Sequence, residues 1–190
     1  MKMMKTSAAL LAVTTLAACG GNNQPADLSL QEIGERGIAL QETVSTIPYT
    51  DPATLPTRSS ATYSGFVATG VGPDVLVGGQ LELTASFAGN GGIDGRIFNI
   101  SDTDGISYRG ELEIDNGEID RGADTSVEFT FNADIDGAVR GGGQTVSVDG
   151  TLLGDFSGSN HQYVQGFIDG TATIAGETLD LIDGEFVAER

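Results

Sequence analysis

The stretch ISYRGELEIDNGEIDRGADTSVEFTFNADID, residues 106–136, decides the fold. Ile106, Tyr108, Gly110, Leu112 and Ile114 alternate with Ser107, Arg109, Glu111, Glu113 and Asp115. Asn116-Gly117 follows, a pair whose tolerance of positive φ predicts a tight hairpin turn. Val127, Phe129, Phe131, Ala133 and Ile135 then alternate with Ser126, Glu128, Thr130, Asn132 and Asp134. Successive side chains of a strand point to opposite faces, so both halves read as strands with one apolar and one polar, acidic face.

The same period runs on either side. Thr62–Val71 opens the series, and Leu81, Leu83, Ala85 and Phe87 mark a second strand. Gly89-Asn90-Gly91-Gly92 turns the chain into Ile93–Ile100, which Ser101-Asp102-Thr103-Asp104-Gly105 closes. Beyond the opening stretch, Gly141-Gly142-Gly143 predicts another turn. Val146, Val148, Gly150, Leu152, Gly154 and Phe156 form a strand, followed by Gly166, Ile168, Gly170, Ala172 and Ile174, then Leu179, Leu181 and Phe186. About eight strands joined by short turns predict an antiparallel meander, and closure into a barrel removes the exposed edges such a meander would leave. Gly110, Gly150, Gly154, Gly166 and Gly170 fall on the inward register, where glycine permits tight coiling.

The faces set the environment. A membrane barrel turns its apolar face to lipid and its polar face inward. Glu111, Glu113, Asp115, Glu128 and Asp134 would then share a narrow interior without basic partners, at prohibitive cost. The acidic face is therefore expected outside and the apolar face in the core. The fold class that follows is all-β: a small antiparallel β-barrel with an apolar interior over residues 61–190.

Upstream lies a leader. MKMMKTSAALLAVTTLAACGG carries Lys2 and Lys5, an apolar run from Ala8 to Ala17, and small residues before Cys19, the only cysteine of the chain. This is the pattern of a secretory signal, too short to span a bilayer stably. Leu16-Ala17-Ala18-Cys19 resembles the bacterial lipoprotein box. That resemblance implies a signal peptide over 1–18 and acylation of Cys19 as the lipidation site. The barrel would then be anchored to the membrane by its N-terminal lipid. In the enteric lipoproteins this box resembles, aspartate after the cysteine hints at inner-membrane retention, so the resemblance with Gly20 implies the outer membrane. A lone cysteine forms no internal disulfide.

Residues 19–60 read as a lipidated tether. Within it, Ser29-Leu30-Gln31-Glu32 matches a capping box, and Leu30, Ile33, Leu40 and Val44 share one face of a helix over 29–44. Gly34 and Gly37 weaken that helix. It reads either as a helix docked on the barrel or a partner, or as a partly ordered leader. Pro48, Pro52 and Pro56 then predict a linker.

The formal net charge is −18, and all seven arginines lie outside the leader that holds both lysines. Such a chain repels phosphate backbones, so no nucleic-acid partner is expected. His161 is the only histidine and sits in the polar loop 158–162. It is expected exposed, which leaves no triad and no enzyme. Asp102-Thr103-Asp104-Gly105 resembles half a calcium loop, lacks the later glutamate and reads as an ordinary turn, so neither metal nor cofactor is expected. Tyr63, Tyr108 and Tyr163 are expected to bridge core and solvent.

Three stretches carry a resemblance to a known family. Thr62-Tyr63-Ser64-Gly65-Phe66 is similar to its first strand. Gly154-Asp155-Phe156-Ser157-Gly158-Ser159-Asn160 looks like a degenerate form of its G-x-F-Y-G-P-x-A motif. Gly184-Glu185-Phe186-Val187-Ala188-Glu189-Arg190 resembles its terminal strand. The family is the β-barrel domain of transferrin-binding protein B, shared with factor H-binding protein and related surface lipoproteins. The resemblance covers about residues 61–190 and the leader. Ser157, Ser159 and His161 depart from the tyrosine, proline and alanine of the motif. The resemblance implies an outer-membrane lipoprotein, exposed at the cell surface or in the periplasm, whose barrel binds an extracellular or envelope protein partner or an iron-related ligand. It carries over no binding residue. The competing expectation is a structural or protective envelope lipoprotein with no saturable ligand. A small-molecule carrier would need an open interior, which inward Phe87, Phe129 and Phe131 oppose.

Overall fold

A computed structural model describes residues 28–190. The signal peptide 1–18, Cys19 and the stretch 20–26 lie outside the described residues. The helix α1 spans Leu30–Val44. Nine strands follow: β1 Ser60–Val71, β2 Val75–Ser86, β3 Gly92–Asp102, β4 Ser107–Tyr108, β5 Leu112–Ile119, β6 Phe131–Gly141, β7 Gln144–Ser157, β8 Tyr163–Ile174 and β9 Glu177–Glu189. All neighbours pair antiparallel. Pairing of β1 with both β2 and β9 and of β2 with β3 closes eight of the strands into a barrel, and the two-residue β4 hangs outside on β3.

The apolar face is inside. Leu81, Leu83, Ile114, Ile135 and Leu152 are buried in one core cluster, whereas Glu111, Glu113 and Asp134 are exposed. The glycine register has a steric purpose on β7 and β8. Gly150 faces Gly170 and Gly154 faces Gly166 across the ladder. A Cβ on Gly154 would lie 2.6 Å from the ring tips of both Phe131 and Phe186.

The structure corrects several details of the opening stretch. Asn116-Gly117 makes no hairpin; both residues lie within β5, where the ladder with β6 slips between Asp115 and Glu118. Asn116 has φ 52°, the left-handed conformation that asparagine tolerates, and it forms a bulge that turns Ile119 back into the core. The run from Ile106 to Asp115 is broken rather than continuous. Gly110, at φ 108°, is exposed between β4 and β5 and is not an inward strand residue. Val127 and Phe129 also leave the strand. The Asp124 side chain accepts from the Ser126 N–H and hydroxyl, and its carbonyl accepts from the N–H groups of Val127 and Glu128. That local turn wins over the alternating pattern. Phe129 therefore points out, 38% exposed, and stacks edge-on against exposed Phe167.

The helix docks on the barrel. Ser29 and Glu32 form both halves of the capping box, and Ile33 and Val44 are buried. Leu30 and Ile33 lie over Gly78, and Gly37 lies over Phe66. The helix runs down the outer wall from β2 toward the end of the barrel where β7 and β9 finish. The Pro-rich segment read as a linker is seated there. Thr50 donates its N–H to Phe156 O and its hydroxyl to Gly158 O; Gly158 N–H returns a bond to Pro48 O. Leu55 is part of the core.

Arg121 fastens this strap. Its guanidinium donates to the carbonyls of Leu55 (2.9 Å), Pro56 (2.5 Å) and Phe87 (2.9 Å). Truncation leaves three carbonyls without their charged donor, so Arg121→Ala is expected to lower stability by about 2–3 kcal/mol. It should also open residues 45–59 to protease. An unchanged urea midpoint with an intact strap would contradict the clamp.

Candidate functional site

The two ends of the barrel differ in chemistry. At the strapped end, Phe156 packs among Tyr63, Phe87 and Phe131, with ring centroids 6.1, 5.6 and 5.1 Å away, and Phe186 extends the cluster from Phe131. Tyr63 does not reach solvent as expected. It is fully buried, and its hydroxyl donates to the carbonyl of His161 at 2.8 Å. Burial pushes its phenol far up. His161 is likewise not an open loop residue. It is half-buried, its ring 5.1 Å from that of Phe87, and burial, then Arg190, push its pKa below the ordinary value. It lids the aromatic end.

Asp155 is also buried at this end. One oxygen accepts from the Thr130 N–H (3.0 Å) and hydroxyl (2.6 Å). Burial raises its pKa, and the two Thr130 bonds pull part of that back. A carboxyl raised in the native state binds its proton more tightly folded than unfolded. Its contribution is therefore full below the unfolded pKa and lost as pH rises through the native one. Asp155→Asn keeps an oxygen for Thr130 and removes the titration. Relative to wild type, the variant is expected to gain stability as pH rises from below the carboxylate range to neutrality. Urea unfolding along that pH series checks it; a difference that stays flat or falls would contradict it.

The opposite end, where the turns 72–74, 103–106, 142–143 and 175–176 cluster, is open. An apolar cavity of about 250 Å³ runs inward from it, lined by Val71, Val77, Val139, Val148 and Leu181. The expectation that bulky inward rings close the interior is thus half right. Phe87 and Phe131 fill one end, Phe129 is outside, and the other end keeps its space. Gly142 and Gly143, at φ 57° and 79°, make the tight β6–β7 turn beside the rim.

The polar part of the lining is small. Asp102 is buried; one of its oxygens accepts from the N–H groups of Asp104 and Ile106 at 3.0 and 2.9 Å. The other accepts from the Tyr108 hydroxyl at 2.8 Å. Burial, then the bond to Asp102, push the Tyr108 phenol up to about 12, so it stays a donor. Three donors of its own turn and of Tyr108 thus hold the Asp102 carboxylate, and among the described residues no group of three metal-ligating side chains is assembled.

Sequence reasoning missed the cavity, although a signal existed. Inward residues beside the rim turns are aliphatic: Val71, Val75 and Val77 around one turn, Val139, Val146 and Val148 around another, and Ile174, Leu179 and Leu181 around the third. Phe87, Phe131, Phe156 and Phe186 all sit at the far ends of their strands.

Fold and site together define a class: a closed eight-stranded antiparallel barrel, strapped shut at one end and open to an apolar pocket at the other. Compared with protein-family models and with curated proteins, the chain matches none.

Proposed function

We propose that this chain is a lipid-anchored outer-membrane protein, a binding module rather than an enzyme, whose open barrel end holds a small apolar ligand. The apolar cavity of about 250 Å³ carries this reading. Concave, mostly apolar sites with a few polar groups are what small-molecule recognition uses. The lipoprotein box supports the anchor, and the geometry is compatible with it. Asn99 bonds the carbonyl of Leu28, and Leu30 lies on Gly78 near the rim, so the chain meets the barrel on the open side. The stretch from Cys19 to Leu28 reaches at most about 30 Å. A lipidated Cys19 would keep the mouth close to the bilayer.

Calorimetric titration with 1-octanol tests the pocket. One saturable site with a negative heat-capacity change is expected. Val148→Phe, which fills the cavity, is expected to abolish it. No saturable binding by wild type would contradict the carrier reading and leave the protein-partner reading below and the structural or protective envelope protein.

A second reading follows the resemblance to the transferrin-binding protein B barrel: binding of a protein partner or an iron-related ligand. The exposed Phe129–Phe167 pair favours it, because aromatic side chains left in water are enriched at partner surfaces.

A further inference from the structure

We infer that the ligand of the open end is a single-chain amphiphile with a cationic or hydrogen-bond-donating head, and that Asp102 receives that head. This deepens the proposed carrier reading and rests on it. The size of the tail comes from the cavity. A dry apolar cavity of about 150 Å³ accepts benzene, so about 250 Å³ accepts roughly ten carbon atoms.

The head is set by what the lining offers. Asp102 lines the cavity and is 3% exposed. An ionised carboxylate has about four acceptor positions, and protein donors occupy three of them: Asp104 N–H, Ile106 N–H and the Tyr108 hydroxyl. One position on the oxygen facing Tyr108 remains. No ion pair among the described residues involves Asp102; the only ones join Arg96 to Glu82 and Glu111. A buried carboxylate without a cation is costly, and a ligand that brings one offsets that cost.

The surroundings agree in sign. The rim turns carry Asp74, Asp104 and Glu177. Arg109 and Arg140 face each other across a β-bridge, next to Tyr108 and Val139 that line the cavity, and line a separate depression that meets the cavity rim at Gly141, Gly142 and Gln144. Both arginines are exposed, and Arg140 alternates with the inward Val139 in β6, which puts it on the outer face.

The test compares three eight-carbon probes that differ only in the head: octylamine, 1-octanol and octanoate. Each is titrated calorimetrically into the protein. Octylamine is expected to bind at least about tenfold tighter than octanoate, with 1-octanol between them. Asp102→Asn is expected to narrow the amine-to-carboxylate ratio to within about threefold while 1-octanol binding persists. Should that variant fold poorly, Asp104→Asn, exposed at the rim, is expected to narrow the ratio in the same direction, and the wild-type order stands by itself. Equal affinities, or octanoate tightest, would overturn the assignment of the head while leaving the carrier reading in place. Failure of all three probes to bind would remove the carrier reading and this inference with it.

Discussion

Alanine at Gly166 is expected to cost about 3 kcal/mol or more, the upper end for overpacking a filled core. The added Cβ would lie on the carbonyl oxygen of Leu153, 2.6 Å from the Cα of Gly154 and 2.8 Å from the Phe186 ring. Two of those three atoms are backbone of the neighbouring strand, so no rotamer change relieves the clash. Only separation of β7 from β8 would, at the place where Gly154 and Gly166 face each other to admit the rings of Phe131 and Phe186. A built-in comparison is Gly34→Ala on α1, where an added Cβ meets nothing within 4 Å. It is expected to stabilise by about 0.5–1 kcal/mol through helix propensity alone. Urea unfolding of both variants decides the matter. A loss below about 1 kcal/mol at Gly166 would contradict the close approach.

The second large effect falls on Phe156. Its ring is fully buried and touches three other aromatic rings, so Phe156→Ala is expected to cost about 3–5 kcal/mol. The damage should spread to the strap, because the Phe156 carbonyl accepts the Thr50 N–H. Phe129→Ala provides the contrast. The sequence pattern places Phe129 inside with Phe131; the structure places it outside, and its truncation is expected to cost less than about 1 kcal/mol. Equal losses for the two variants would contradict the facing of Phe129.

These two residues also show how much of the fold is legible in the sequence. The alternation from Leu81 to Phe87 and from Phe131 to Ile135 reports facing correctly, because a strand that stays in register has no freedom in which face it buries. Alternation fails where a single residue enters the left-handed region. Asn99, Asn116 and Asp183, at φ 51°, 52° and 49°, each sit where the ladder slips, in β3, β5 and β9. Asn and Asp tolerate that conformation but do not announce it; the same Asn116-Gly117 pair fits a hairpin turn equally well. What decides is tertiary. An added Cβ on Gly117 would lie against the carbonyl of Ile93, so the bulge is held by the packing of β3 rather than by its own sequence.

The helix was legible from Ser29-Leu30-Gln31-Glu32, and its docking was not. Gly37, which reads as a weakness, sits against Phe66 where the helix meets the barrel, and an added Cβ there would make an ordinary 3.5 Å contact. The prolines of the strap read as a linker, because no local pattern reveals that Arg121, 65 residues downstream of Pro56, binds its carbonyls. One residue, Phe129, obscures the cavity in the sequence, because its alternation reads as a third ring in the interior.

The measurement that bears most directly on the open-ended barrel is where a bound apolar probe sits. Intermolecular nuclear Overhauser effects between 1-octanol methylene protons and the methyl groups of the chain would locate it. Contacts to Val71, Val139, Val148 and Leu181, with none to Phe156, are the predicted result. Contacts confined to Phe129 and Phe167 would place binding on the outer wall and contradict a ligand cavity inside the barrel.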